Sequence, residues 1–322
     1  VEFDYMVGAL LDGFDTMVHL SHSSKVAVFE GDEYLSSPID LRPKFHHYRP
    51  DIAILTGIAW DHMNVFPTFS NYVEQFAHFI ETIQENGSLI FYQGDENIRQ
   101  ITCRAHSSVK VLPYECLPHT TRNGKTYLRG NEETELQIFG LHNMQNLAAA
   151  FLACREIGIP ESDFLKAIAS YKRAAKRLQK IAETPQSIAY LDFAHSPSKL
   201  KATIQAVKEQ YPDKKLIACM ELHTFSSLNA AFLPQYKNCM DQADTPVVFF
   251  NPEVVAHKKL PAIEAEDVKK GFDCQHLRVF TDNRQLLDYL QQQEYGNTVL
   301  LIMTSGNFSG IDIKATARQL LG

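Results

Sequence analysis

The side chains able to do chemistry lie mostly in short polar stretches that follow apolar runs. In VAVFEGDEYLSSP, residues 26–38, an apolar run ends in Glu30-Gly31-Asp32-Glu33. Carboxylates this close repel one another, and a cation between them relieves the repulsion. An acidic side chain at the carboxyl end of a buried strand in an α/β protein commonly serves Mg²⁺, directly or through water. A solvated acidic turn is the plainer reading. DIAILTGIAWDHMNVF, 51–66, is a second apolar run with a polar end, Asp61-His62. If the two strands are neighbours, Glu30 and His62 face one site, where a carboxylate and an imidazole can share a metal. Taken alone, His62 reads as a hydrogen-bonded structural histidine.

Further along, GLHNMQNLAAAF, 140–151, sets Asn143 and Asn146 on one face at a helix start. Asparagine there usually caps the helix, but two on one face also suit the N6/N7 edge of an adenine. AYLDFAHSPSKL, 189–200, carries Asp192, His195 and Pro197 where a strand gives way to a helix. An Asp at a strand tip can accept from ribose hydroxyls, or simply cap the helix. VLLIMTSGNFSGI, 299–311, is a strand followed by a Gly-containing loop, which either brings backbone N–H groups to a ligand or merely connects strand to helix. Gly124-Lys125-Thr126 imitates the end of a phosphate-binding P-loop. That loop needs glycine at position 119, occupied here by His119, and a strand before with a helix after. Asn123-Gly124 marks a hairpin turn instead, and no P-loop occurs in these residues.

The elements that must position these groups alternate. Strand-like runs fall at 26–29, 51–55 and 88–92, helix-like runs at 70–85 and 142–157, and short antiparallel strands over 108–139. Gly158 and Pro160 stop the second helix. In the second half, apolar strands at 187–192, 215–220, 246–250, 277–280 and 298–303 alternate with helices such as 197–210 and 283–293. Strands apolar throughout imply a parallel sheet covered on both faces, with ligands at the carboxyl ends. The basic run YKRAAKRLQK, 171–180, marks the boundary between two domains, 1–176 and 177–322.

Composition narrows the function class. The 322 residues suffice for two cores. With 31 basic and 38 acidic residues the net charge is −7, which disfavours general binding to nucleic acid or an anionic membrane. No apolar run is long enough to span a membrane, and no signal peptide is visible. Six dispersed cysteines without a CxxC pair read as buried thiols of a cytosolic protein, not as disulfides or zinc ligands.

Taken in order, EGDEY (30–34), WDHMNVF (60–66), GLHNMQN (140–146), KRLQ (176–179), LDFAHSP (191–197), MELHTFSS (220–227) and MTSGNFSG (303–310) resemble the Mur ligases, the ATP-dependent amide-bond-forming enzymes of peptidoglycan synthesis. The resemblance spans nearly the whole chain. It implies an α/β fold: part of a P-loop NTPase-like central domain, then a Rossmann-like C-terminal domain. The EGDEY and GLHNMQN stretches are most similar to the murein-recycling branch, which joins the tripeptide L-Ala-γ-D-Glu-meso-diaminopimelate to UDP-N-acetylmuramate. In that reaction ATP makes an acyl phosphate, which the peptide's amino group attacks. By position, Glu30 and His62 match Mg²⁺ ligands, Asn143 and Asn146 the adenine-side asparagines, and Arg177 a basic residue near the ATP phosphates. Asp192, with His195 beside it, matches a ribose-contacting aspartate, and His223, Thr304, Ser305 and Phe308 lie in loops facing the incoming peptide. The family's P-loop and UDP-binding domain would lie upstream of Val1, so the chain alone is expected not to ligate.

Some features depart from the family pattern. No Lys occurs between Phe66 and Gly87, where some members carry a carbamylated one. An EPRS-like stretch is replaced by Glu221-Leu222-His223-Thr224, without its Arg, and DFAHHP by Asp192-Phe193-Ala194-His195-Ser196-Pro197. The L-alanine-adding ligase is the runner-up within the family. Outside it stand a non-catalytic nucleotide- or muropeptide-binding module and a metal-dependent hydrolase using Glu30 and His62, which leaves the C-terminal motifs unexplained.

Overall fold

The computed structural model describes residues 1–8, 14–130, 132–172, 174 and 176–322. They form two compact units, one of residues 1–120 and 125–175, the other of 121–124 and 176–322. Arg173 and Ala175 of the basic boundary run lie outside the described residues.

In the first unit, β1 (Asp4–Met6), β2 (Val18–His19) and β3 (Ala27–Phe29) make a three-stranded sheet ordered β2-β1-β3. β3 pairs in parallel with β1 and delivers Glu30, whose N–H donates to Met6 O at 2.8 Å. The sequence reads β3 as buried, whereas all three of its residues are exposed. It is the edge of a small sheet of very short strands, so apolar composition there does not mean burial. β4 (Ile52–Leu55), α1 (Phe69–Glu81), β5 (Ser88–Tyr92), α2 (Glu96–Ile101) and β6 (Lys110–Tyr114) follow. The sheet β4-β5-β6 is parallel throughout, so β6 is not the antiparallel strand its neighbourhood suggests. Next come β7 (His119–Arg122), β8 (Lys125–Leu128), β9 (Thr134–Leu136), α3 (Leu141–Glu156) and α4 (Glu161–Ser170). Asn123 and Gly124, both with positive φ, form the two-residue turn between β7 and β8, as the Asn-Gly pair requires. Central β5 is covered on both faces: Leu89 and Phe91 pack with Phe76, Phe79 and Ile80 of α1, and Ile90 with Ala148 and Ala149 of α3.

The second unit holds β10 (Gln179–Glu183), β11 (Ile188–Asp192), α5 (Pro197–Gln210), β12 (Lys215–Glu221), β13 (Thr245–Phe249), α6 (Pro252–His257), α7 (Ala265–Phe272), β14 (Arg278–Phe280), α8 (Asn283–Gln291), β15 (Thr298–Met303) and α9 (Ile313–Leu321). Its six-stranded sheet has the order β10-β11-β15-β12-β13-β14. Every pairing is parallel except β10 with β11. Sequence patterning misses β10, because QKIAE is a polar edge strand. Ala189, Leu191, Ile217, Cys219, Leu300 and Ile302 pack with Leu286 and Leu290 of α8 and Ala317 of α9. On α5, Leu200, Ile204 and Val207 are buried. Of the six cysteines, all free, only Cys219 and Cys239 are buried, and Cys103 is exposed. Among the described residues no helix is long and apolar enough to cross a membrane.

Two stability predictions follow from this packing. Leu300 is fully buried in the middle strand, so Leu300→Ala should cost about 2–5 kcal/mol in denaturant unfolding. Glu156, at the end of α3, binds Lys110 of β6 at 2.7 Å and Ser88 of β5 at 2.8 Å. The Lys110 ammonium, helped by the Ser88 hydroxyl, holds the Glu156 carboxyl below its ordinary value. A depressed folded-state value contributes stability above the unfolded value, here 4.5, and loses it as pH falls through the folded one. Glu156→Gln should therefore lower the midpoint at neutral pH and flatten the loss of stability as pH falls below 4.5, read by thermal unfolding against pH.

Candidate functional site

The acidic stretch after β3 resolves into three carboxylates with different surroundings. Asp32 accepts from Tyr34 N–H at 2.8 Å, closing a turn, and forms an ion pair with Lys44 at 2.6 Å. Glu33 accepts from the Tyr72 hydroxyl at 3.2 Å and stands 3.4 Å from His62 Nε2. Burial, with Glu33 beside it, drives the Tyr72 phenol upward, so Tyr72 is a neutral donor there. Glu30 is exposed, and no cationic side chain pairs with it among the described residues. Gly8 leaves room for it, because a Cβ on Gly8 would collide with the Glu30 carboxylate. The imidazole predicted to share a site with Glu30 is thus set against Glu33, whose role the sequence leaves unassigned. No group of three or more His, Cys, Asp or Glu arranged to hold a metal occurs among the described residues.

The His62 loop is held rigidly. Asp95, which caps α2, accepts from Ile58 N–H at 2.7 Å and so anchors the exit of β4. Asp61 is buried and accepts from His62 N–H at 2.8 Å. His62 has φ of 54°, in the left-handed region that few non-glycine residues adopt, though histidine does so more readily than most. Val65 and Phe66 N–H both donate to His62 O, fixing the turn, and the Tyr34 ring meets the imidazole edge-on at 5.1 Å. Strain of this kind persists where surrounding structure over-determines it, often at functional sites.

Neither asparagine of GLHNMQN caps α3, since Gly140, with φ of 90°, takes that position. Asn143 donates its amide to Phe139 O at 2.7 Å, and exposed Asn146 carries an amide without a partner among the described residues. The pair therefore presents an amide carbonyl and a whole carboxamide at the start of one helix.

In the second unit the register aligns the ends of three adjacent strands. Asp192 of β11 pairs with Met303 of β15, and Met303 with Met220 of β12. Asp192, Thr304 and Glu221 thus stand side by side at the carboxyl edge, where open α/β sheets bind ligands. Asp192 is buried and accepts from Leu178 N–H at 2.6 Å and Ala194 N–H at 2.7 Å. Its oxygens fasten the segment that carries Arg177 onto the strand end, a structural use that stands beside the ribose contact expected for it. The Arg177 guanidinium lies over the Phe193 ring at 5.4 Å, and that ring meets His195 edge-on at 5.1 Å. KRLQ and LDFAHSP are thereby one local cluster. His195 itself is buried, with Nδ1 2.9 Å from Phe193 O.

The substrate-loop residues separate. Phe308 is buried and stacks on Phe249 at 5.7 Å within the core, so it braces its loop and does not face a ligand. Thr304 is fully buried and donates to Glu221, which the sequence reading left without a role. His223 remains partly exposed beside Glu221. Ser305 Oγ is buried with no hydrogen-bond partner among the described residues, a rarity in folded proteins. Glu221 was detectable in principle, since an ionisable residue closing an all-apolar strand is itself a signal.

Comparison with known proteins identifies the family. The profile of the Mur ligase middle domain matches residues 14–154, and that of the Mur ligase glutamate ligase domain matches 176–306. The UDP-N-acetylmuramate–L-alanine ligase of Porphyromonas gingivalis is 26% identical over 94% of this chain and 66% of its own length. The UDP-N-acetylmuramate–L-alanyl-γ-D-glutamyl-meso-2,6-diaminoheptandioate ligase of Escherichia coli is 27% identical over 96% of this chain and 68% of its own. The chain thus spans about two thirds of the length of these curated relatives. Among solved structures, a murein peptide ligase from Psychrobacter arcticus superposes with a TM-score of 0.64 at 18% identity, covering 99% of this chain and 72% of its own. The UDP-N-acetylmuramate–alanine ligase of Thermotoga maritima gives 0.67 at 15%, covering 99% and 68%. The two profiles, in order and over both compact units, place this chain in the Mur ligase family, as its middle and C-terminal domains.

Proposed function

We propose that the chain is the ATP- and amino-substrate-handling part of an ATP-dependent amide-bond ligase. It joins the recycled tripeptide L-Ala-γ-D-Glu-meso-diaminopimelate to UDP-N-acetylmuramate through an acyl phosphate. The division lies at 176/177, with the end of the ATP-binding central domain before it and the C-terminal domain after it. The change of compact unit between Ala175 and Lys176 supports this. The observation that carries the catalytic reading is the fate of the acidic stretch. Among the described residues Asp32 and Glu33 each have a hydrogen-bond or ion-pair partner while the Glu30 carboxylate has neither, and Gly8 leaves room for it.

Glu30 supplies oxygen donors, which suit Mg²⁺; His62, set against Glu33, is the weaker partner for a hard cation. Glu30 is the place we assign to Mg²⁺, with His62, which stands 3.4 Å from Glu33, as the second ligand that the family resemblance implies; the bound cation would neutralise phosphate charge during transfer. The protein's own groups do the rest. Asp95 and Asp61 hold the His62 turn, and the Asn143 and Asn146 carboxamides suit an adenine edge. Arg177, lying over Phe193, offers a fixed cation to an anionic ligand. The adenosine is the weakest part of this assignment at Asp192, whose oxygens already serve Leu178 and Ala194. The names of the relatives support a UDP-N-acetylmuramate ligase acting on either L-alanine or the tripeptide. The L-alanine alternative draws specific support from His223, which stands where an arginine was expected.

With ATP, Mg²⁺ and UDP-N-acetylmuramate, the complete protein should release ADP and form product with the tripeptide, and at least about 100-fold more slowly with L-alanine, as pocket discrimination of this size allows. The reverse preference would assign the L-alanine ligase. No ADP release with either would contradict the ligase reading.

A further inference from the structure

A chain of polar contacts runs along the carboxyl edge of the six-stranded sheet. Glu221, the last residue of β12, is 3% exposed. One carboxylate oxygen accepts from the Thr304 hydroxyl, and Thr304 Oγ1 accepts in turn from Gly306 N–H at 2.7 Å. The other oxygen stands 3.8 Å from His223 Nδ1. Among the described residues no Lys or Arg pairs with Glu221. A carboxylate so removed from water is costly unless a positive group completes it. The backbone is shaped around the pair: a Cβ on Gly306 would lie 2.7 Å from both Glu221 Oε2 and His223 Nδ1, so only glycine permits this approach. The His223 side chain is 34% exposed, and its Nε2 has no partner among the described residues. Ser305 Oγ, buried and unpartnered, adjoins the same loop.

We propose that Glu221 and Thr304 position His223 as the proton acceptor for the incoming amino group. The proposal rests on the ligase reading above. A carboxylate facing Nδ1 favours the tautomer with hydrogen on Nδ1 and the lone pair on Nε2, as in other oriented histidine bases. The substrate ammonium first loses one proton to solvent. Its neutral nitrogen then attacks the acyl carbon, forming the C–N bond, and the adduct's N–H proton passes to His223 Nε2. The C–O bond to phosphate breaks, its electron pair leaving with the phosphate. The imidazolium, with Glu221 as counter-ion, returns its proton to water. The positive group that the buried carboxylate lacks at rest is therefore the one formed during turnover. Glu221 and Thr304 are positioning residues; His223 is the catalytic one.

The test uses the complete protein with ATP, Mg²⁺, UDP-N-acetylmuramate and the amino substrate, with hydroxylamine added in parallel to trap the acyl phosphate as a hydroxamate. The readout is the ratio of amide to hydroxamate. His223→Gln should lower that ratio by about 100-fold, the lower range for loss of a general base. Glu221→Gln and Thr304→Val should lower it about tenfold, and Thr304→Ser should restore it, because the serine hydroxyl can still donate to Glu221. A ratio within twofold of wild type in His223→Gln, with hydroxamate formed, overturns the proton-acceptor assignment alone. Equal loss of both products in all four variants does the same, since it marks a structural role. A wild-type protein that forms no hydroxamate overturns the ligase reading, and this assignment with it.

Discussion

A carboxylate withdrawn from water must be given donors or a cation, and much of this molecule is arranged around that requirement. Asp95 is satisfied by the N–H groups of Ile58 and Ile98, and in meeting that need it fixes the exit of β4. Asp192 is satisfied by Leu178 and Ala194 N–H, and thereby clamps the start of the second unit onto β11. Asp32 takes Lys44, and Glu33 takes Tyr72 and His62. Of the acids at these two candidate sites, exposed Glu30 has no ion-pair partner among the described residues, and buried Glu221 has only a hydroxyl and a distant imidazole. Each sits at the carboxyl end of a strand, where the chemistry of α/β folds is usually found.

The scaffold makes this arrangement possible by keeping its strand ends in register. In the second unit, apolar side chains on both faces of β11, β15 and β12 leave no freedom to slip, since a shift of one residue would move a buried set outward. Asp192, Thr304 and Glu221 are consequently aligned by packing, and Thr304 links the other two, its N–H donating to Asp192 O and its hydroxyl to Glu221. In the first unit the packing of α1 and α3 on β5 does the same for β4 and its loop. The left-handed His62 is tolerated because Asp61, Val65 and Phe66 hold its backbone from both sides.

Much of this was legible in the residues. Buried parallel strands announce themselves as unbroken apolar runs, and the helix at 197–210 was bounded correctly by its Pro at the start and its apolar spacing. Polar edge strand β10 was not, because half-exposed strands carry no such run. β3 misled in the other direction: Val28 and Phe29 are apolar yet exposed, and composition cannot report what covers a strand. At the candidate sites, residue type and family resemblance singled out Glu30, His62, Asn143, Asn146 and Arg177 as expectations, but partners are a property of three dimensions. Hence His62 met Glu33, Phe308 turned into the core, and Glu221, two residues before His223, proved to be the most deeply buried acid of the sheet edge. Asp192 looked like a ligand contact because strap and ligand contact need the same acceptor.

Glu30, the acid of its stretch without an ion-pair partner among the described residues, is the cation site we propose. The direct measurement is Mn²⁺ binding in place of Mg²⁺, followed by electron paramagnetic resonance on the complete protein with ATP. The account predicts that Glu30→Gln weakens binding by at least about tenfold, within the range for loss of a metal-site group, while Asp32→Asn, whose carboxylate already serves Lys44, leaves it within about twofold. Unchanged binding in Glu30→Gln, or an equal loss in Asp32→Asn, would contradict it.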